Sequence, residues 1–187
     1  AERFARERPA TVLDVGAGEG ILGRELKSVG LPWVLLDNSP SMLRSLPDDA
    51  FNADATALPF PDESFDAVAA LYMLYHLDRP QDAIEECRRV LNKGGLFTAA
   101  AAGADDAPEL TPIFRATGLR VRHTFDSDIG PESIEAIFGN VEVESWDGPY
   151  IFLPDARALR EYCRGYGLSS EDASSAPDLI NTPLLLA

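Results

Sequence analysis

Three glycines alternate with other residues in the segment VLDVGAGEG, at positions 16, 18 and 20. Each glycine has a cost in backbone entropy, so their clustering indicates that a large polar group lies against bare backbone. Asp14 precedes them and adds a carboxylate that accepts hydrogen bonds. The segment predicts a ligand-binding loop, although a tight turn between a strand and a helix explains the glycines alone equally well.

Two further aspartates follow later apolar runs. Asp37 ends the run WVLLD. It lies roughly 20 residues after the glycines, a distance at which an acidic side chain accepts hydrogen bonds from both hydroxyls of a ribose. Asp54 follows a third, shorter run. A lone aspartate at a strand end is more often a solvated loop residue or a helix cap, but three at successive strand ends favour a binding site.

The spacing of the glycines differs from that of nicotinamide-binding proteins. The nicotinamide fingerprint G-x-G-x-x-G requires its third glycine where Ile21 stands. The chain also lacks an obvious tyrosine-lysine or histidine pair for hydride transfer. A nicotinamide-dependent oxidoreductase is therefore a disfavoured alternative.

Alternating strands and helices must hold these residues. Apolar runs predict five strands, and apolar residues at helical spacing predict helices between them. This alternation indicates an α/β fold with a mainly parallel sheet covered by helices on both faces. Ligands of such sheets bind at the carboxyl ends of the strands. The predicted strands are 11–15, 33–36, 51–53, a strand from Phe65 and 96–100; the predicted helices include 21–29, 131–138 and 80–91, the last stopped by NKGG.

Composition limits the class of protein. The chain has 187 residues, 45% of them hydrophobic, which suffices for one domain with one core. Its formal net charge of -15 repels phosphate backbones and anionic membrane surfaces, so we expect neither nucleic acid nor a membrane as partner. Cys87 and Cys163 fall within helical patterns far apart in sequence, so we expect them to be reduced packing residues and not a disulfide or a metal site. Reduced cysteines favour a cytoplasmic location. No apolar run approaches the roughly 20 residues needed to cross a bilayer.

Four ordered segments within residues 11–100 resemble the class I S-adenosylmethionine-dependent methyltransferases, in particular the branch that acts on small molecules. VLDVGAGEG is similar to the first motif of that family and LLDNSPSML to its ribose-binding segment. NADATALPFPDESFDAV is similar to the adenine-contacting segment, and RRVLNKGGLF to the helix and fifth strand. The resemblance implies S-adenosyl-L-methionine as the cofactor.

The resemblance also implies a role for each matching residue. Gly16, Ala17 and Gly18 would let the methionine and ribose portions of the cofactor approach the backbone. Asp14 would orient this loop and the amino group of the cofactor, and Asp37 would hold the ribose hydroxyls. The other implied contacts are Asn38 and Met42 beside the adenine, Asp54 and Ala55 at its edge, and Leu71 and Tyr72 near the reactive end.

The family fold sets further expectations. It implies a Rossmann-like sheet of seven strands, mainly parallel, with a final antiparallel pair that we assign to VEVESW and TPLLLA. We expect one domain over residues 1–187, with acceptor-site insertions in residues 101–166. The chain begins at Ala1 without methionine, so we expect that an N-terminal helical lid is missing from it.

Methyl transfer from a sulfonium requires chiefly that the nucleophile be close and aligned, with water excluded. A general base is needed only for a hydroxyl acceptor, and His76 is the candidate; its alternative role is to pack or cap the following loop. Tyr72 and Tyr75 would either shape an aromatic acceptor pocket or pack in the core.

The acceptor is expected to be an oxygen, nitrogen or carbon nucleophile of a small molecule such as a natural product, with oxygen slightly favoured. The chain has no Asn/Asp-Pro-Pro-Tyr segment of the kind that amino-group methyltransferases use on bases or glutamine. A non-catalytic protein that binds the cofactor as a sensor or partner subunit is the main alternative, because methyl transfer leaves no obligatory catalytic residue.

Overall fold

The computed structural model describes residues 2–44, 46–47, 50–103, 124–145, 151–155, 157–158, 162 and 184–186. The chain divides into two units, one formed by residues 1–102 and 124–141 and the other by residues 103–123 and 142–187. Half of the segment expected to carry acceptor-site insertions, residues 101–166, lies outside the described residues, as does Cys163. Within the described part, no helix is long and apolar enough to span a membrane.

The first unit alternates strands with helices, as the apolar runs predict. Its strands are β1 Val12–Val15, β2 Trp33–Asp37, β3 Phe51–Asn52, β4 Phe65–Leu71 and β5 Leu91–Ala100. Its helices are α1 Glu2–Glu7, α2 Ile21–Ser28, α3 Pro40–Leu43, α4 Pro80–Val90 and α5 Ile129–Phe138, with a short 3-10 helix at Leu74–His76. The strands form one parallel sheet in the order β3-β2-β1-β4-β5. The predicted α/β fold is confirmed for these five strands.

Strand β1 sends its side chains into two apolar layers, one on each face of the sheet. Leu13 and Val15 belong to a cluster that includes Ile84 of α4. Val12 belongs to a second cluster that includes Leu22 of α2. Alternate residues of a strand point to opposite faces, so a strand buried on both faces reads as a continuous apolar run. Helices therefore cover both faces, as predicted.

The order of the strands reverses at β1. Strands β2 and β3 lie on one side of β1, and β4 and β5 lie on the other. Open α/β sheets bind ligands in the crevice outside the carboxyl ends of their strands at such a reversal. The loop after β1 begins at Gly16 and the loop after β4 begins at Tyr72, so these two loops flank the expected crevice.

Strand β5 begins earlier than predicted. The predicted strand at 96–100 lies within β5, but the prediction that NKGG stops α4 before that strand is wrong, because β5 follows α4 directly at Leu91. Leu91 pairs with Phe65, and the register shifts after this pair. Gly95 takes part in this irregularity, since an added Cβ would lie 2.7 Å from the carbonyl oxygen of Asp66. The glycines thus permit a close strand pair with a bulge.

The second unit contains a two-stranded antiparallel sheet. Strand β6, Ile151–Leu153, pairs with β7, Leu184–Leu186, which lies within TPLLLA. The assignment of VEVESW to a strand is wrong for residues 141–145, which form none. Val143 is 62% exposed, so the alternating pattern buries no apolar face there. Instead of the single seven-stranded sheet expected, the described residues show five parallel strands in one sheet and a separate pair.

Candidate functional site

The sheet brings the three predicted aspartates to its carboxyl edge. Asp14 lies in β1, Asp37 is the last residue of β2, and Asp54 follows β3 after one intervening residue. These three strands are neighbours, and adjacent strands lie about 4.8 Å apart. The carboxylates therefore line consecutive strand ends, as the sequence predicts.

Asp37 connects two of the loops at this edge. Its Oδ2 accepts a hydrogen bond from the backbone N–H of Gly18 at 2.8 Å, and its Oδ1 accepts one from the N–H of Ser39, also at 2.8 Å. The side chain is only 8% exposed. A carboxylate has about four lone-pair sites, so each oxygen of Asp37 can accept a further hydrogen bond.

Asp14 is a buried carboxyl group beside Asp37. It is 3% exposed, and its Oδ2 has no hydrogen-bond partner among the described residues. Burial, and secondarily the charge of Asp37, raises the pKa of Asp14 from 3.8 to about 7. An orphaned buried oxygen is costly unless something binds it, and a cationic or hydrogen-bond-donating ligand would relieve that cost.

The glycines of this loop have two different environments. An added Cβ on Gly16 would lie 2.7 Å from the Cβ of Met73, so Gly16 permits close packing of the loops after β1 and β4. An added Cβ on Gly18 would meet nothing within 4 Å, so Gly18 presents bare backbone to open space. Both have positive φ, 69° and 54°, which side chains disfavour. Between them, the N–H of Ala17 donates to the carbonyl oxygen of Leu36 at 2.9 Å and ties this loop to β2.

The predicted adenine contacts lie on either side of β3. Asn38 and Met42 are exposed at the end of β2 and in α3. The Oδ1 of Asp54 accepts hydrogen bonds from the N–H and Oγ1 of Thr56, both at 2.8 Å, and these bonds lower the pKa of Asp54. Ala55 is 6% exposed and packs in the core.

The loop after β4 holds the residues predicted to lie near the reactive end. Leu71 is half-buried at the end of β4, and Tyr72 is 47% exposed with a φ of 54°. The N–H of Tyr72 donates to the carbonyl oxygen of Ala100 at 2.8 Å, which fixes this conformation. Non-glycine residues with positive φ are concentrated at functional sites. His76 is exposed in the 3-10 helix, with its ring 4.4 Å from that of Tyr75.

Two cavities lie away from the aspartates. One, of about 220 Å³, is lined by residues that include Asp66 and Asn92, and the other, of about 260 Å³, by residues that include Trp33. Neither lining contains Asp14 or Asp37. No group of three or more histidine, cysteine, aspartate and glutamate residues that could hold a metal ion occurs in the described part of the chain. The side-chain chemistry at the strand ends marks the candidate site.

Comparisons with known proteins indicate the family of the chain. A family profile described as a methyltransferase domain matches residues 13–99. The chain is 45% identical over 94 residues to the demethylmenaquinone methyltransferase of Renibacterium salmoninarum, across 48% of this chain and 40% of that protein. It is 31% identical to the malonyl-(acyl-carrier protein) O-methyltransferase of Pseudescherichia vulneris, across 97% of this chain and 72% of that protein.

A solved structure shares the fold. YcgJ from Bacillus subtilis aligns with a TM-score of 0.65 and 21% identity, over 89% of this chain and 74% of that chain. The chain spans less than half the length of several curated relatives that it matches, namely 40%, 46% and 44% of three of them. The match over most of the malonyl-(acyl-carrier protein) O-methyltransferase, together with the family profile over β1 to β5, shows that this chain belongs to the class I S-adenosylmethionine-dependent methyltransferases.

Proposed function

We propose that this chain binds S-adenosylmethionine at the carboxyl edge of β1, β2 and β3 and transfers its methyl group to a small-molecule acceptor. The observation that carries the proposal is the hydrogen bond from Gly18 to Asp37, which joins the glycine loop to the acid at the end of β2. Asp37 is thereby held with acceptor capacity beside a backbone segment that has open space above it.

The residues at this edge fit the chemical groups of the cofactor. Asp37 can accept hydrogen bonds from the two ribose hydroxyls with its remaining lone pairs. The orphaned Oδ2 of Asp14 can accept a hydrogen bond from the ammonium group of the methionine portion. The open side of Gly18 admits a ligand that a side chain would exclude.

The reaction requires little chemistry from the protein and mainly requires that the protein position the reacting groups. When bound, S-adenosylmethionine supplies a methyl carbon that its sulfonium makes electrophilic. The protein must then align the nucleophile in line with that carbon and exclude water. We assign Leu71 and Tyr72 to the wall beside the reacting groups, because they follow the strand on the far side of the reversal from Asp37.

The proposed acceptor is a small molecule or a small group carried by a larger one. Two relatives are named for demethylmenaquinone and for a malonyl group on acyl-carrier protein, so both quinone-like rings and carboxylates are reasonable acceptor classes. If the nucleophile is a hydroxyl, we assign the general-base role to His76, which is exposed five residues after the end of β4. The acceptor pocket is proposed within residues 101–166.

Transfer of a labelled methyl group tests this proposal. The chain would be incubated with methyl-labelled S-adenosylmethionine and a panel of hydroquinones, phenols and acyl carboxylates, with Asp37→Ala as the inactive control. We expect label in one acceptor class with the wild-type chain and at least roughly 100-fold less with the variant. Cofactor binding without transfer to any acceptor would instead favour a sensor or partner subunit.

A further inference from the structure

Residues 54–62, within the loop between β3 and β4, are held from α4 by one arginine. The guanidinium of Arg89 donates to the carbonyl oxygens of Leu58 at 3.0 Å and Phe60 at 2.8 Å and to the carboxylate of Asp62 at 2.9 Å. It also donates through Nε and Nη2 to both oxygens of Glu86, each at 2.7 Å. These bonds use all of the N–H donors that a guanidinium possesses.

Glu86 completes this arrangement from the same helix. Its Oε2 accepts the backbone N–H of Leu58 at 2.8 Å while both oxygens bind Arg89. Leu58 therefore has its N–H bonded to Glu86 and its carbonyl oxygen bonded to Arg89. The paired charges lower the pKa of Glu86, chiefly through the hydrogen bond from Arg89. Apart from the bond between Arg89 and the carboxylate of Asp62, the two side chains hold the loop through its backbone.

Apolar contacts hold the other side of the loop. Leu58 is buried in the same core cluster as Ala55. The ring of Phe60 packs edge-to-face against Phe51 of β3 and Phe65 of β4, with centroids 5.0 Å apart in both pairs. These apolar contacts hold the loop against the core, whereas the hydrogen bonds from α4 fix the position of its backbone along the edge of the sheet.

We infer that Arg89 and Glu86 are positioning residues that set the loop 54–62 for recognition of the adenine edge. The inference rests on the proposed function, because it concerns the loop that carries Asp54 and Ala55. Ala55 packs in the core and Asp54 is bonded to Thr56 of the same loop, so a shift of the loop backbone moves both residues together. A loop fixed before binding does not have to be ordered by the ligand, which strengthens binding.

The test compares Arg89→Lys with Arg88→Lys as the matched control. Lysine retains the charge but cannot make the forked set of bonds. Arg88 is the exposed neighbour on α4, and its guanidinium lies over the ring of Phe138. Each variant would be titrated with S-adenosylhomocysteine and with S-inosylhomocysteine, which differs only at the edge of the base. Melting temperatures would be measured on the same samples.

We expect Arg89→Lys to bind S-adenosylhomocysteine roughly tenfold more weakly and to lose most of the preference for adenine over hypoxanthine. Arg88→Lys should match the wild type in both. Glu86→Gln provides a second variant with a smaller loss of the same kind, should the lysine variant fold poorly. A lower melting temperature with unchanged preference would overturn the positioning role and leave a structural one. Failure of the wild-type chain to bind S-adenosylhomocysteine would instead overturn the proposed function, and the inference with it.

Discussion

At the scale of single residues, Asp14 makes the stability of the fold depend on pH. Its pKa rises from 3.8 to about 7, so between these values the folded state keeps a proton that the unfolded state loses. The free energy of unfolding therefore falls as pH rises, by about 1.4 kcal/mol per unit and roughly 4 kcal/mol in total. This loss of stability is absent below the pKa that Asp14 has in the unfolded state, and it is complete above the pKa that it has in the folded state.

Asp14→Asn removes this titration without changing the size of the side chain. Relative to the wild type, we expect the variant to gain stability progressively as pH rises from 3.8 to about 7, and the difference to level off above that pH. Urea unfolding at a series of pH values between these limits measures the difference. A difference that stays the same at every pH would contradict the burial argument.

Gly18 allows the proposed ligand contact to be separated from backbone strain. Gly18 and Gly30 both have positive φ, and an added Cβ would meet nothing within 4 Å at either position. Gly30 lies at the opposite end of the sheet, between α2 and β2. Gly18→Ala and Gly30→Ala should lower the free energy of unfolding by similar amounts, about 1–2 kcal/mol.

Only Gly18→Ala should also weaken binding of S-adenosylhomocysteine, by tenfold or more, because its methyl group enters the space assigned to the ligand. Calorimetric titration of both variants measures this. Equal affinities in the two variants would show that Gly18 serves the turn alone.

At the scale of elements, the pairing of β4 with β5 depends on two glycines with different tasks. Gly95→Ala would place a methyl group 2.7 Å from the backbone oxygen of Asp66, whereas an added Cβ on Gly94 meets nothing within 4 Å. We expect Gly95→Ala to cost about 3 kcal/mol of unfolding free energy and Gly94→Ala about 1 kcal/mol. Chemical denaturation measures both, and similar losses would contradict the close-approach argument. Neither should change cofactor affinity, since both lie at the amino end of β5.

The sequence predicts elements well where burial dictates the pattern. The apolar run of β1 and the aspartates at the ends of β1 and β2 identify the carboxyl edge of the sheet as the candidate site. A buried parallel strand, and the polar residues at its end, can be recognised from neighbouring residues in the sequence. The start of β5 is mispredicted, since NKGG forms a bulge whose cause is the distant backbone of Asp66. The bonds from Arg89 to the loop 54–62 are also non-local. Only the spacing of Glu86 and Arg89 on one helix face hints at them.

At the scale of the whole molecule, the net charge of -15 should favour a cationic ligand over a neutral one of the same shape. S-adenosylmethionine carries one more positive charge than S-adenosylhomocysteine. We expect the affinity for S-adenosylmethionine, divided by that for S-adenosylhomocysteine, to fall about threefold or more when sodium chloride is raised from about 0.05 to 0.5 M. The reason is that salt screens the electrostatic field of the protein. Titrations of both ligands at each salt concentration measure the ratio. A ratio independent of salt would show that local contacts alone distinguish them.

The most direct test of the proposed site is calorimetric titration of the wild-type chain and Asp37→Ala with S-adenosylhomocysteine, beside NADH. Asp82→Ala is a suitable control, because Asp82 of α4 forms an exposed ion pair with Arg79, the residue before that helix. The account predicts that the wild-type and control chains bind S-adenosylhomocysteine and not NADH, and that Asp37→Ala binds at least roughly 100-fold more weakly. Unchanged affinity in a folded Asp37→Ala variant would contradict the assignment of the carboxyl edge as the cofactor site.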